Sequence, residues 1–401
     1  MSKKSTNIEF IDTHAHCHLL RRYHKTDGLG NEVIDDEYCR FLEDFQMQTG
    51  PYTVSKVINI PITLPQNIDW SNNDTRSIFF SKKPECPGIF REKLKDDEGN
   101  SIKGLTYFAQ GIHPKFVHQF LYKDFLYVNG ESTRKKPSTA QDLVSEKELA
   151  RRENIVKELL EERIKNNSDV VAIGETGFEL YYDFEKRVCD HPAYQEKWFR
   201  YHLDLAYEYD LPLIIHLRSG ERKEQNANKR ALKILQEYKA QGKLRPLPGV
   251  IHCFIGNKSE AAEFHRLGFV LGIGAAFTYG DPYDPRNRTK EMTDFQLKHY
   301  HRLYRVVCDA PLSWFVLETD SPYLPLKDDA TGYKENTPLS IPMIADHIVK
   351  ARNEAKRIKC LSSGIPTGSV LTIEKVAKVT TSNALRVFPE IEEERRSSGP
   401  C

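Results

Sequence analysis

Six residues far apart in the chain, His14, His16, Glu175, His216, His252 and Asp320, share one chemistry. Each ends or follows a short apolar run, and together they offer four imidazoles and two carboxylates. Neutral imidazole and carboxylate bind Zn²⁺, Mn²⁺ or Fe²⁺ well, whereas Mg²⁺ prefers oxygen. A carboxylate such as Glu175 can bridge two ions about 3.5–4 Å apart, holding both an attacking water and a leaving oxygen for in-line displacement. Asp320 could bind one ion and accept the proton of that water, which requires hydrogen-bond reach. The set reads as a hydrolytic site for two divalent metal ions, Mg, Mn or Zn. An isolated histidine is more often structural, and His24, His118, His191, His202, His265, His299, His301 and His347 are read that way.

The elements that must position these groups are eight apolar runs: IEFID (8–12), KVINI (56–60), LTYFAQG (105–111), VVAIG (170–174), LPLIIH (211–216), GVIHCF (249–254), FVLGIG (269–274) and WFVLET (314–319). Runs without polar alternation suit parallel strands covered on both faces. Helical patterns lie between them, clearest over 191–209, where Tyr194, Trp198, Tyr201, Leu205 and Tyr209 recur at helical spacing. Weaker ones cover 146–165, 228–240, 258–267 and 295–308. Strands alternating with helices predict an α/β fold of the (β/α)8 TIM-barrel type, in which the active site forms at the carboxyl ends of the strands. A doubly wound open sheet is the alternative, but THAHCHLL after the first run contains no Gly-rich phosphate loop.

The chain of 401 residues accommodates one large barrel domain over 1–390, with insertions at about 61–104, 115–145 and 278–294 and a flexible tail at 391–401. Lys plus Arg (58) balance Asp plus Glu (57), so any polyanion site must be local. Basic clusters at Lys82-Lys83, 91–95, 134–136 and Arg222-Lys223 fall in expected loops and could meet phosphates, although such clusters are usually only solvated. The N-terminal MSKKSTN lacks a secretory apolar region, and no apolar run is long enough to span a bilayer. A cytoplasmic protein is expected, with the nucleus as an alternative, and no membrane partner. The eight cysteines form no CxxC pair, which argues against a zinc knuckle or a disulfide scaffold.

The motifs IDTHAH (11–16), GIHP (111–114), AIGETGFE (172–179), LPLIIHLR (211–218), GVIHCFIG (249–256), LETDSPYL (317–324) and TSNALRVF (381–388) occur in an order that resembles the TatD family of metal-dependent deoxyribonucleases, within the amidohydrolase-type barrel superfamily. The resemblance spans residues 8 to 388 between insertions. It implies metal ligation by the same six residues and places His113 and Arg218 near the substrate, His113 for phosphate binding or proton transfer. Arg218 would stabilise phosphate charge. DNA, with RNA as a second candidate, is the implied substrate. A small-molecule ester, lactone or amide hydrolase using the same centre is the competing reading, and a non-catalytic scaffold a weaker third.

Departures from the family pattern fall around the ligands. Phe178-Glu179 stands where Leu-Asp is usual, HLRSG (216–220) replaces HSRDA, and Ile255 replaces a hydroxyl in HCFIG (252–256). Alternation along a strand predicts that Cys253 points away from its neighbour His252, into the barrel wall. The glycines of GETG and GIG are expected to shape tight turns. His18 extends the alternating series of His14 and His16, but the family register keeps an acid, Asp12, two positions before the first ligand, which selects His14 and His16. On that register His14→Ala costs far more bound metal than His18→Ala, as elemental analysis of the two purified variants would measure; equal losses would move the ligand pair.

Overall fold

The computed structural model describes residues 8–17, 45, 48, 50–60, 106–121, 127–128, 131–132, 143–181, 192–281, 294–328, 332–334, 336–363 and 369–391. Its main sheet has eight strands: β1 (Ile8–Ala15), β2 (Tyr52–Asn59), β3 (Thr106–Gln110), β4 (Val170–Glu179), β5 (Leu213–Arg218), β6 (Gly249–His252), β7 (Val270–Ile273) and β8 (Phe315–Leu317). They are parallel and ordered by sequence from β1 to β8, so the fold is the expected (β/α)8 barrel. Helices α1 (Glu146–Asn166), α2 (Pro192–Glu208), α3 (Ala227–Ala240), α4 (Lys258–Arg266) and α5 (Asp294–Asp309) fall where the periodicity places them. Two more, α6 (Ile341–Ser363) and α7 (Ile373–Val387), were not predicted as helices. Among the described residues no helix is long and apolar enough to cross a membrane.

The chain divides into two compact units, one of Met1–Asn59, Lys93–Tyr107 and Pro246–Cys401, the other of Ile60–Glu92 and Phe108–Arg245. In the first, the last strand returns to the first. Asp12, fully buried, accepts the N–H groups of His14 (3.1 Å) and Thr319 (3.0 Å) and the Thr319 hydroxyl (2.6 Å). Thr13 Oγ1 donates to the Leu317 carbonyl at 3.0 Å. Beyond them, Asp320 N–H reaches His14 O (2.9 Å) and His16 N–H reaches Ser321 O (2.7 Å). Burial holds the Asp12 carboxyl above the usual carboxylate range against the pull of its three hydrogen bonds. Helix α7 covers this seam, packing on both β1 and β8.

In the second unit, β4 is longer than predicted, running through Glu175 to Glu179. The reason is an irregularity: Gly174 pairs with Ile214 and Thr176 with Ile215, so Glu175 is an extra residue in the ladder, as in a β-bulge. The GETG glycines therefore do not shape a turn. Gly177, at φ 134°, lies so close to β5 that a Cβ would collide with the His216 carbonyl. Helix α2 also turns differently from its tyrosine stripe, burying Gln195, Trp198, Phe199, His202, Leu203, Leu205 and Ala206. The tyrosines sit at the edge, where Tyr194 donates its hydroxyl to Glu153 at 2.8 Å.

Several expected features change or fall outside the described residues. Residues 61–104, His18, His24, His191, the clusters at 82–83, 91–95 and 134–136, and 392–401 lie outside them. The stretch 115–145 opens inside the core, since Val117 and Phe120 are buried with Val156, Leu159 and Trp198. Residues 278–280 belong to a 3-10 turn, Ala275–Gly280, and Asp294 begins α5.

His202 bears out its structural reading. Its Nδ1–H donates to Trp198 O (2.7 Å) and its Nε2 accepts the Ile112 N–H (3.0 Å), tying α2 to the loop that carries His113. Burial lowers its pKa from 6.5 to about 4, against the carbonyl contact. An imidazole with a lowered folded-state pKa stabilises fully above the unfolded value and loses that contribution as pH falls from 6.5 towards 4, here on the order of 3 kcal/mol. Urea melts should therefore show His202→Gln less stable at pH 7 but with a shallower loss on acidification. An equal acid slope in the two proteins would remove His202 from that role. Asp12→Ala leaves three donors without their acceptor at about 1–3 kcal/mol each, so the same melts should show a loss of about 3 kcal/mol or more. A change near zero would mean the seam is held by other bonds.

Candidate metal centre

In each unit the strand ends bring ligating atoms together. In the first unit, His14 lies on β1 and His16 just past its end at Ala15, with their ring centroids 5.1 Å apart. Asp320 follows β8 with φ 56°, a left-handed conformation that aspartate tolerates better than most residues. Its Oδ1 lies 3.7 Å from His14 Nε2, 3.3 Å from His16 Nε2 and 3.8 Å from His252 Nε2. The His14 and His252 rings stack with centroids 3.3 Å apart. His14, His16 and Asp320 thus offer three ligand atoms within 4.8 Å of one another.

Two residues not singled out from the sequence support this group. Glu318, with no exposure, accepts the Cys253 N–H and lies 3.2 Å from His252 Nδ1, while Nε2 of that ring lies 3.8 Å from Asp320. Gly272 leaves the space for it, since a Cβ there would enter the Glu318 carboxylate. Asn336 donates to the carbonyls of Thr319 and Tyr323, both at 2.7 Å, and so grips the loop on either side of Asp320. An acid inside the apolar run WFVLET was the available signal for Glu318; Asn336 in KENTPL had none.

Cys253 departs from its expected orientation. The strand stops at His252 and Cys253 takes φ 41°, which breaks the alternation that would have turned it into the wall. Its sulfur lies within 4.8 Å of ligand atoms of His252 and Asp320, and the residue is half-buried.

The second group is His113, Glu175 and His216, again with ligand atoms within 4.8 Å. Glu175 Oε1 lies 2.6 Å from His216 Nδ1 and 3.5 Å from His113 Nε2. His113 Nδ1 accepts the Lys115 N–H at 3.0 Å. Glu179 Oε2 stands 3.2 Å from His216 Nε2. Burial would lower the His216 pKa, but Glu175 and Glu179 reverse this and push it up to about 9. A pocket that draws a proton onto an imidazole has surplus negative charge, and a divalent cation would balance it. The residues therefore fit a metal ion both in donor type and in electrostatics. Arg218, half-exposed at the end of β5, holds its guanidinium 4.3 Å above the Tyr181 ring.

A family model described as TatD related DNase matches residues 11–389. The chain is 28% identical over 220 residues to the uncharacterized metal-dependent hydrolase YabD of Bacillus subtilis, covering 55% of this chain and 65% of that one. It is 32% identical over 194 residues to a protein of Cronobacter sakazakii named 3'-5' ssDNA/RNA exonuclease TatD, covering 48% and 61%. The matches thus span somewhat less than two thirds of these relatives. A crystal structure of a TatD family hydrolase from Entamoeba histolytica aligns with TM-score 0.55 over 96% of this chain and 99% of its own, at 16% identity, and so shares the fold. With its model match running almost from end to end, the chain belongs to the TatD-related DNase family.

Proposed function

We propose that the protein is a metal-dependent hydrolase that cleaves phosphodiester bonds in DNA, with ions held by His14, His16, His252 and Asp320 in the first unit and by Glu175 and His216 in the second. The observation that supports this reading most directly is the pair of imidazole–carboxylate groups at the strand ends. Divalent ions bound there would polarise a phosphate oxygen and acidify a water. A site this rich in imidazole favours Mn²⁺ or Zn²⁺ over Mg²⁺.

The chain's own residues take distinct parts. Asp320, with one oxygen central to three imidazoles, is the carboxylate placed to accept the proton of the attacking water. His113 differs from the other imidazoles. Because its Nδ1 accepts the Lys115 N–H, the neutral ring carries its proton on Nε2, on the side of Glu175. That tautomer suits a donor to a phosphate or leaving oxygen better than a ligand. Arg218, stacked on Tyr181, supplies positive charge against the charge that builds on phosphate.

End-labelled single- and double-stranded DNA, RNA and chromogenic esters, assayed with Mg²⁺, Mn²⁺ and Zn²⁺, test the reading. DNA cleavage is expected, along with its loss in Asp320→Asn. His113→Gln is expected to lower kcat by about 10²–10⁴-fold while retaining bound metal. Hydrolysis of esters alone would favour the small-molecule reading. Cleavage of DNA by Asp320→Asn at the normal rate would sink the proposed proton transfer, and loss of metal in His113→Gln would make that residue a ligand.

A further inference from the structure

Glu179 is almost completely buried at the end of β4, and every polar atom it carries is engaged. The Gln195 side chain clamps its backbone, accepting the Glu179 N–H and donating to the Glu179 carbonyl, both at 3.1 Å. Its Oε1 accepts the Tyr181 N–H at 3.2 Å. Its Oε2 lies 3.2 Å from His216 Nε2 and 3.8 Å from Arg218 NH1. A buried carboxylate is costly unless paired and hydrogen-bonded, and all of these partners serve that need. The clamp and the Tyr181 bond fix where the carboxylate stands, so the ring and the guanidinium must adjust to it.

We propose that Glu179 is a positioning residue that sets the His216 tautomer and anchors Arg218 from the same oxygen. By accepting the Nε2–H of His216 it keeps a proton on that nitrogen, so the proton Nδ1 shares with Glu175 at 2.6 Å is the one a metal ion would displace to take the Nδ1 lone pair. It also draws the Arg218 guanidinium back over the ring of Tyr181, the residue whose backbone N–H donates to the other oxygen of the same carboxylate. Metal ligand and phosphate-binding arginine are thereby held in one geometry by one group. A carboxylate is needed for this, because a neutral amide accepts more weakly from imidazole and does not attract guanidinium. The inference rests on His216 and Glu175 being metal ligands.

The test uses Co²⁺ as a spectroscopic probe with the full-length wild-type protein and the variants Glu179→Gln, Glu179→Asp and Arg218→Ala. Removing such a supporting group typically costs about 10–100-fold in metal affinity. Glu179→Gln is expected to weaken Co²⁺ binding by that factor in calorimetry and to alter the visible absorption of bound Co²⁺. Glu179→Asp, which keeps the charge, should recover part of the loss, whereas Arg218→Ala should leave Co²⁺ affinity intact. On a cleaved oligonucleotide, KM should rise in Glu179→Gln and rise little further in its combination with Arg218→Ala. Wild-type Co²⁺ affinity and spectrum in Glu179→Gln would overturn the proposal, and fully additive KM effects would overturn its Arg218 half. If Glu179→Gln fails to fold, Glu179→Asp decides: an altered Co²⁺ spectrum supports the role and an identical spectrum and affinity reject it. Wild-type protein that binds Co²⁺ but leaves all DNA uncut would refute the deoxyribonuclease reading alone, since the Co²⁺ comparison needs no turnover.

Discussion

One buried carboxylate joins the first strand of the sheet to the last. Asp12 has no exposure and spends its two oxygens on three donors, one on β1 and two at Thr319 just after β8. Taking that group out of water is costly, and the three donors offset part of the cost. The bonds fix the phase of both strands. His14 and His16 then face the same way, and Asp320, two steps from the buried Glu318, comes to stand among them. Most of the first unit's site geometry follows from this register, with α7 packed over it.

A second rule operates in both units: an imidazole at a strand end is backed by a buried acid. His252 has Glu318, and His216 has Glu175 on one nitrogen and Glu179 on the other. Space for these acids is made by glycines, which carry no Cβ to obstruct them or the neighbouring strand. Gly272 makes room for Glu318, and Gly177 lets β4 and β5 approach at His216. The chemistry-bearing side chains and the small residues beside them are therefore one design. Each ring is held by a charge rather than by packing alone, so its orientation depends on groups that never touch a substrate.

The strands were legible because burial on both faces removes polar alternation, leaving apolar runs such as VVAIG and LPLIIH. The candidate ligands were legible for the same reason: a histidine or acid at the end of such a run is conspicuous. What the sequence concealed depends on contacts between distant segments. Glu175 looked like the residue after a strand, and only the skipped register opposite Ile214 and Ile215 reveals it as a bulge. The alternation argument for Cys253 failed because the strand ends one residue earlier. Helix α6 has its buried Ile341, Ile344, Ala345 and Ile348 at helical spacing, but Pro342 and the charged run after Ile348 dilute that pattern. Glu179 showed only as a longer acid at a family position; its partners His216, Arg218 and Gln195 are visible only in the fold.

The Asp12–Thr319 bonds link residues 307 positions apart. Contacts of such separation carry a large loop-closure cost and form late, after local helices and neighbouring strands. During synthesis from the N-terminus, His14 and His16 emerge early and wait for Asp320 to be made and brought back to them. A chain arrested before β8 carries the histidines of the first group but neither its central carboxylate nor the seam that aligns it. This group of ligand atoms is thus complete only once β8 and the residues after it are in place.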